Sequence, residues 1–320
     1  MYQFEDRGHV KRYYNQEKMN AIAQCQGEAY RRYRALWDNP DIMNNILGNP
    51  LEIMLELTSW CNYKCKMCDK AFVPEKEKVN ISVESVRRLV ENINEMGVAS
   101  LWVGATSECL IHPQIQHILD ILKEADVLDF TLITNGSALS EQTAQKIIDA
   151  GVKQLSVSLD AATKETYYNI RKGNLDQVEK NIDRFIALRG ENIFPSLRVS
   201  MVMMDDNVNE REAFLEKWKG KADIIDFQIL VDFSSVGGEL SDVKDYTANC
   251  MEPFRRLLVR YDGVVEPCCT AFGHYFPLGN IRDCSLKDLW TGAKIHCLRE
   301  EIKSKNFNKV CRNCKKINRN

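Results

Sequence analysis

The stretch Leu51-Glu52-Ile53-Met54-Leu55-Glu56-Leu57-Thr58-Ser59-Trp60-Cys61-Asn62-Tyr63-Lys64-Cys65-Lys66-Met67-Cys68 decides how this chain is read. Its first seven residues read as a strand. Its last eight place Cys61, Cys65 and Cys68 on the loop that follows directly. Three thiolates on one loop can hold three irons of a cubane and leave the fourth without a protein ligand. An open iron is where a small molecule can chelate and be reduced. A zinc loop is the competing reading, but closed zinc sites take four protein ligands, and no fourth stands near.

Outward from this stretch the pattern alternates. Val83–Met96 reads as a helix stopped by Gly97, Leu101–Gly104 as a strand, Ile115–Ala125 as a helix and Phe130–Ile133 as a strand. Ser140–Ala150 is a Ser-capped helix ended by Gly151, followed by a strand at Gln154–Leu159. Leu175–Leu188 is helical, Leu197–Met203 a strand, Glu210–Trp218 a helix and Ile225–Val231 a sixth strand. Repeated βα units imply a parallel sheet with helices packed outside. Six units are fewer than the eight of a closed barrel. The expected fold is therefore α/β, an open partial (β/α)6 TIM-like barrel over residues 51–235. Residues 1–50, where Tyr30, Tyr33, Leu36 and Trp37 alternate with Arg31, Arg32 and Arg34, read as an N-terminal helical extension docked by an amphipathic face. Ser234-Ser235-Val236-Gly237-Gly238 breaks the rhythm as a linker. Residues 236–320 read as a small cysteine-rich domain organised by metal more than by apolar burial.

Composition narrows the function. The chain has 320 residues, 44% hydrophobic, enough for one large domain and an appendage. No apolar run approaches the roughly 18 residues a membrane helix needs, and the charged start does not resemble a secretory signal. A net charge of −2 gives no reason to expect nucleic acid. A small molecule or a peptide is the expected partner, in the cytoplasm. Twelve cysteines in so long and periodic a chain suggest metal ligands rather than a disulfide scaffold.

A second set of cysteines supports this. Cys250-x12-Gly263-x4-Cys268 precedes Cys311-x2-Cys314. A hairpin turning at Asp262-Gly263 would return Cys268 towards Cys250, and the terminal pair can clamp the other side. Four thiolates suit a fully ligated cubane or a zinc ribbon.

The Cys61–Cys68 loop after the first strand of a six-unit barrel resembles the radical S-adenosylmethionine (SAM) superfamily. The C-terminal segment, with Leu278-Gly279-Asn280-Ile281, Leu289-Trp290 and Leu298-Arg299, resembles the Twitch domain, a relative of the SPASM domain. The resemblance implies two [4Fe–4S] clusters, with Cys61, Cys65 and Cys68 on one and Cys250, Cys268, Cys311 and Cys314 on the other. It implies that SAM chelates the open iron and is cleaved to a 5′-deoxyadenosyl radical. Met67 would pack on adenine. Glu108, in Gly104-Ala105-Thr106-Ser107-Glu108, would receive the methionine ammonium. Asn135 in Thr134-Asn135-Gly136, Ser158 or Asp160 after the fourth strand, and Arg171 would approach the cofactor's polar groups. Arg171 has a second reading as a surface arginine, and His112 reads as structural. A reductant such as flavodoxin or ferredoxin would supply the electron.

Three functions compete: radical oxidation or epimerisation of a carbinol carbon in a sugar, aminocyclitol or similar small molecule; modification of a ribosomally made peptide; and a non-catalytic iron–sulfur or zinc protein. One auxiliary cluster and no appended peptide-recognition domain favour the first. Cys25, Cys109, Cys269, Cys284 and Cys297 are left over, mostly expected as small buried hydrophobes. Cys269, beside Cys268, and Cys109, beside Glu108, are placed to face substrate. In an epimerase Cys269 is the first candidate hydrogen donor and Cys109 the second.

Overall fold

The computed structural model describes residues 1–72, 77–104, 106–231, 250–268, 276–312 and 314. Cys269 and the linker at 234–238 lie outside them. Eleven strands form one sheet among the described residues. Six are the expected parallel strands in chain order: β3 (Glu52–Leu55), β4 (Ser100–Val103), β5 (Asp129–Thr134), β6 (Gln154–Ser158), β7 (Ser196–Met203) and β8 (Ile224–Ile229). Each lies within a few residues of its expected bounds.

The helices between them pack outside the sheet. Val83–Met96 shows why one forms there: Ser82 accepts from the Ser85 amide at 3.1 Å, and Gly97 ends the helix at φ +63°. Val86, Leu89, Val90 and Ile93 recur at helical spacing and are buried against the sheet. One helix, Lys164–Arg171, was not anticipated; it fills the connection before Leu175–Arg189.

The barrel does not close on itself. Its two edges are covered by strands from the ends of the chain. The helical reading of residues 1–50 holds for Gln16–Cys25 and Gly27–Trp37, but the first fifteen residues form a hairpin instead, β1 (Tyr2–Asp6) and β2 (Val10–Asn15). β2 pairs antiparallel with β8. The hairpin forms because Gly8, at φ +73°, supplies a left-handed turn residue between two runs that carry Tyr2, Phe4, Val10, Tyr13 and Tyr14.

At the opposite edge, β9 (Arg256–Val259) runs parallel to β3, then β10 (Val264–Glu266) and β11 (Gly279–Asn280) follow antiparallel. The turn between β9 and β10 is the expected one at Asp262-Gly263. Gly263 has φ +80°, and a Cβ there would stand 2.7 Å from Asn280 Oδ1. The cysteine-rich segment thus continues the barrel sheet. It also contains helices Leu286–Thr291 and Ala293–Lys303, which its weak periodicity did not announce. Tyr33 and Ile42 from the N-terminal extension pack with Phe254, Leu298, Ile302 and Phe307, joining the two ends of the chain in a second apolar cluster. No helix among the described residues is long and apolar enough to cross a membrane.

Candidate active site

The three cysteines of the first loop follow β3, at the end of the sheet where parallel α/β folds build their sites. The loop is fastened at several points. The Lys66 amide donates to Ile170 O at 2.9 Å, on the unanticipated helix. Tyr63 meets Tyr167 edge to face and lies so close to Gly173 that a Cβ there would strike its ring. Cys61 Sγ accepts from the Tyr63 amide at 3.4 Å, with Asn135 Nδ2 at 4.0 Å. Burial pushes the thiols of Cys61, Cys65 and Cys68 up, so on their own they stay protonated. Bonding to cationic iron is what converts such thiols to thiolates. Among the described residues no three or more His, Cys, Asp or Glu side chains are grouped as a single bound ion requires. Ligands to three separate irons of a cubane have no need to converge on one point.

Glu108 stands on the loop after β4 and is almost wholly buried. Its carboxylate accepts from Thr134 Oγ1 and the Asn135 amide at 2.6 Å each, and from the Leu110 amide at 3.1 Å. Burial raises its pKa in spite of these bonds. Among the described residues it has no ion-pair partner. A fixed, buried carboxylate with Arg171 as a cation in electrostatic reach but none in direct contact among the described residues, close to Cys61, fits an incoming ammonium. Thr106 bonds Glu56 and Ser107 bonds Thr58 O, so this loop is stitched to the end of β3.

Asn135 bridges the two loops: Nδ2 donates to Asn62 Oδ1 at 2.9 Å, and Oδ1 accepts from the Ser137 amide at 2.8 Å. Arg171 is buried, which removes its reading as a surface arginine. Its Nε and Nη2 each lie 2.7 Å from Asp160 Oδ2. Burial would lower its pKa, but the Asp160 carboxylate outweighs that and raises it.

Asp160, which with Ser158 was expected near the cofactor's polar groups, is fully buried and bonded to the protein: Oδ2 holds Arg171 and Oδ1 accepts from the Val202 amide at 2.7 Å. Asp160 positions Arg171. Ser158 and Met67 do line the barrel's interior, a cavity of about 830 Å³. His112 is structural as expected, with Nε2 3.0 Å from Ile81 O.

Cys109, expected to face substrate, is instead fully buried, does not line the cavity, and donates its thiol to Ile133 O at 3.2 Å. Of the other spare cysteines, Cys25 and Cys297 are exposed and Cys284 is half-buried, so burial is not what they share.

The members of the second set influence one another electrostatically. Burial, with Glu252, Cys314 and Cys311 adding to it, pushes the Cys250 thiol up to about 12. Burial, then Cys268 and Cys314, push Cys311 up to about 12. The Cys314 amide donates to Cys311 O at 3.1 Å, which closes a tight turn between the two cysteines. The site residue that sequence reasoning missed is Glu56, buried at the end of β3 and bonded to Thr106; a charged residue closing an apolar strand was its only signal.

A six-stranded open barrel with a three-cysteine loop after its first strand and a four-cysteine appendage defines a class of two-centre iron–sulfur enzymes. The family description "Radical SAM superfamily" matches residues 55–217, and "Iron-sulfur cluster-binding domain", the SPASM family, matches residues 250–315. The chain belongs to the radical SAM superfamily and carries a SPASM domain. Its cofactors are SAM and [4Fe–4S] clusters.

Among curated relatives, a probable GTP 3′,8-cyclase of Methanococcus maripaludis is 32% identical over 163 residues, 51% of this chain and 53% of that protein. The GTP 3′,8-cyclase of Mesorhizobium japonicum is 34% identical over 139 residues, 41% of each chain. The chain spans about half the length of the curated relatives it matches. Among solved structures, BtrN in complex with AdoMet and 2-DOIA has a TM-score of 0.55 at 19% identity, over 82% of this chain and 92% of BtrN. SuiB of Streptococcus suis bound to the precursor peptide SuiA gives 0.59 at 16%, over 84% and 70%. At such identities these structures show a shared fold.

Proposed function

We propose that this enzyme oxidises or epimerises a carbinol carbon of a sugar, aminocyclitol or similar small molecule, in the cytoplasm, with a flavodoxin or ferredoxin as electron donor. The observation that carries the reading is the barrel interior: a partly open chamber of about 830 Å³ lined by Thr131, Ser156, Ser158, Ser200 and Gln228, polar groups suited to hydroxyls. A chamber of that volume suits a compact polar molecule.

The residues that would hold the cofactors are those already described. Cys61, Cys65 and Cys68 would carry the first cluster, and Cys250, Cys268, Cys311 and Cys314 the second. When bound, these groups and SAM supply a 5′-deoxyadenosyl radical able to remove one hydrogen atom from substrate, together with an electron acceptor. Glu108 would receive the SAM ammonium and Arg171, held by Asp160, the carboxylate. Asn135 would fix the loop bearing Cys61. Met67 and Ser158 would line the face where SAM and substrate meet. If the outcome is inversion, Cys269 would donate the returning hydrogen atom.

Peptide modification is the second reading, supported by the fold shared with peptide-bound SuiB and with anSMEcpe bound to the Cp18Cys peptide. Reduced, reconstituted enzyme should form 5′-deoxyadenosine with a polyol in D₂O. A carbonyl product two hydrogens lighter identifies oxidation. An inverted product with one deuterium identifies epimerisation, and Cys269→Ala should then lose the inversion but keep 5′-deoxyadenosine. Turnover with peptides and none with polyols would reject the small-molecule reading.

A further inference from the structure

The N-terminal hairpin, which lies outside both family matches, puts charge into the barrel. Arg12 of β2 reaches Asp226 of β8 in a bidentate pair, Nε to Oδ1 and Nη2 to Oδ2, both at 2.7 Å. Arg198 of β7 approaches the same carboxylate from the other side, Nε to Oδ2 at 2.6 Å, and donates through Nη1 to Ser156 Oγ at 3.2 Å. Asp226 is fully buried, and both guanidiniums line the chamber. Two cations therefore share one anion.

Elsewhere in the chamber wall the charges are matched more evenly. Arg34, Arg255 and Arg256 face Asp38, Glu52 and Asp129. Around Asp226 the balance stays positive even with Glu5 counted: Arg7, paired with Glu5 at 2.8 Å, and His9 from the hairpin also line the chamber. Burial is the main cause that lowers the pKa of Arg198, with Arg12 and Arg7 adding to it against Asp226, whereas, against burial, Asp226 and Glu5 raise that of Arg12. Nη1 of Arg12 and Nη2 of Arg198 are not used in these bonds. Guanidinium forks bind oxyanions through paired N–H groups, and the bond is strong where water is scarce.

We propose that Arg12 and Arg198 form an oxyanion site inside the barrel, and that the substrate carries a carboxylate or phosphate group which docks there. The inference rests on the small-molecule reading above and narrows its substrate class. It also gives the hairpin a role: β2 covers the edge of β8 and brings Arg12 to the substrate. Asp226 holds the two guanidiniums at a common point, so the anion meets a prepared fork. The three serines and Gln228 remain for the hydroxyls of the same molecule.

The test needs no turnover. Anaerobic holoenzyme is treated with phenylglyoxal, and modification is followed at each arginine by peptide mass mapping. Inorganic phosphate and acetate are the probes, with chloride at equal ionic strength as the control. Phosphate or acetate should slow modification of Arg12 and Arg198 several-fold and leave Arg32, exposed on its helix, unchanged. Protection by phosphate alone assigns a phosphate-bearing substrate, and by acetate alone a carboxylate. Arg198→Gln, which keeps the Arg12–Asp226 pair, should abolish protection of Arg12 at unchanged iron content. Equal rates with and without the anions, or no reaction at Arg198 under any condition, would overturn the proposal. Failure here, with neutral polyols still turned over, would leave the small-molecule reading standing.

Discussion

Glu56 shows how one side chain can carry the pH response of the site. Burial raises its carboxyl to about 7, against the opposing effects of Thr106, Lys70 and Arg260. A carboxyl whose folded pKa lies above its unfolded value binds more protons when folded, so its contribution falls as pH rises from about 4.5 to about 7. Glu56→Gln mimics the protonated form. The variant should match wild type near pH 5 and exceed it above pH 7, by a few kcal/mol at most, since each pKa unit is worth about 1.4 kcal/mol. Melting both holoproteins across that range checks this; a constant difference would show that Glu56 does not titrate there. Glu108 belongs to the same scale. Glu108→Gln should keep both clusters but bind SAM tens- to thousands-fold more weakly, because truncating a buried charged hydrogen bond costs about 2–5 kcal/mol. Titration of SAM into the iron-loaded variant reads this, and unchanged affinity would remove Glu108 from the site.

At the scale of elements, the two cysteine sets should behave as separable centres. Replacing Cys61, Cys65 and Cys68 by Ala should remove about half of roughly eight irons per chain and abolish SAM cleavage. Replacing Cys311 and Cys314 should remove the other half, keep the first cluster's spectrum and stop net turnover. Zinc in the second site with turnover intact would instead support a structural metal. The helix Lys164–Arg171 is the element the first loop leans on, through Tyr63 and Gly173. Gly173→Ala should push Tyr63 away and loosen the loop. Its expected signature is faster loss of the first cluster's iron to a chelator, with the second cluster's iron lost at the wild-type rate.

At the scale of the whole molecule, the open barrel depends on both chain ends. β2 supplies hydrogen bonds to β8, and β9 does the same for β3. An uncovered edge strand invites pairing with another chain, and an Asp226 deprived of Arg12 keeps, among the described residues, only Arg198 as its ion-pair partner. Deleting residues 1–15 should therefore lower the melting temperature and promote aggregation, visible in size-exclusion chromatography. A monomer of unchanged stability would show that β8 needs no cover.

The six parallel strands and the helices Val83–Met96 and Glu141–Asp149 were legible because local chemistry marks them: apolar periodicity, a Ser cap and a Gly stop within a few residues of each other. The three-cysteine loop was legible for the same reason, since its spacing is itself the chemistry. What the sequence by itself determined was the class of barrel, the two cysteine sets and the turn at Gly263. Tertiary structure alone decided the rest. Arg171 and Asp160 are eleven residues apart and become a buried ion pair only because a helix returns one over the strand that ends near the other. Cys109 sits next to Glu108 but is fully buried and bonds Ile133 O, a partner set by packing. Arg12 and Asp226 meet across 214 positions, through an antiparallel pairing that no local pattern encodes. Local signals fix what an element is; which of its side chains meet is decided by the sheet's register, and that register belongs to the whole fold.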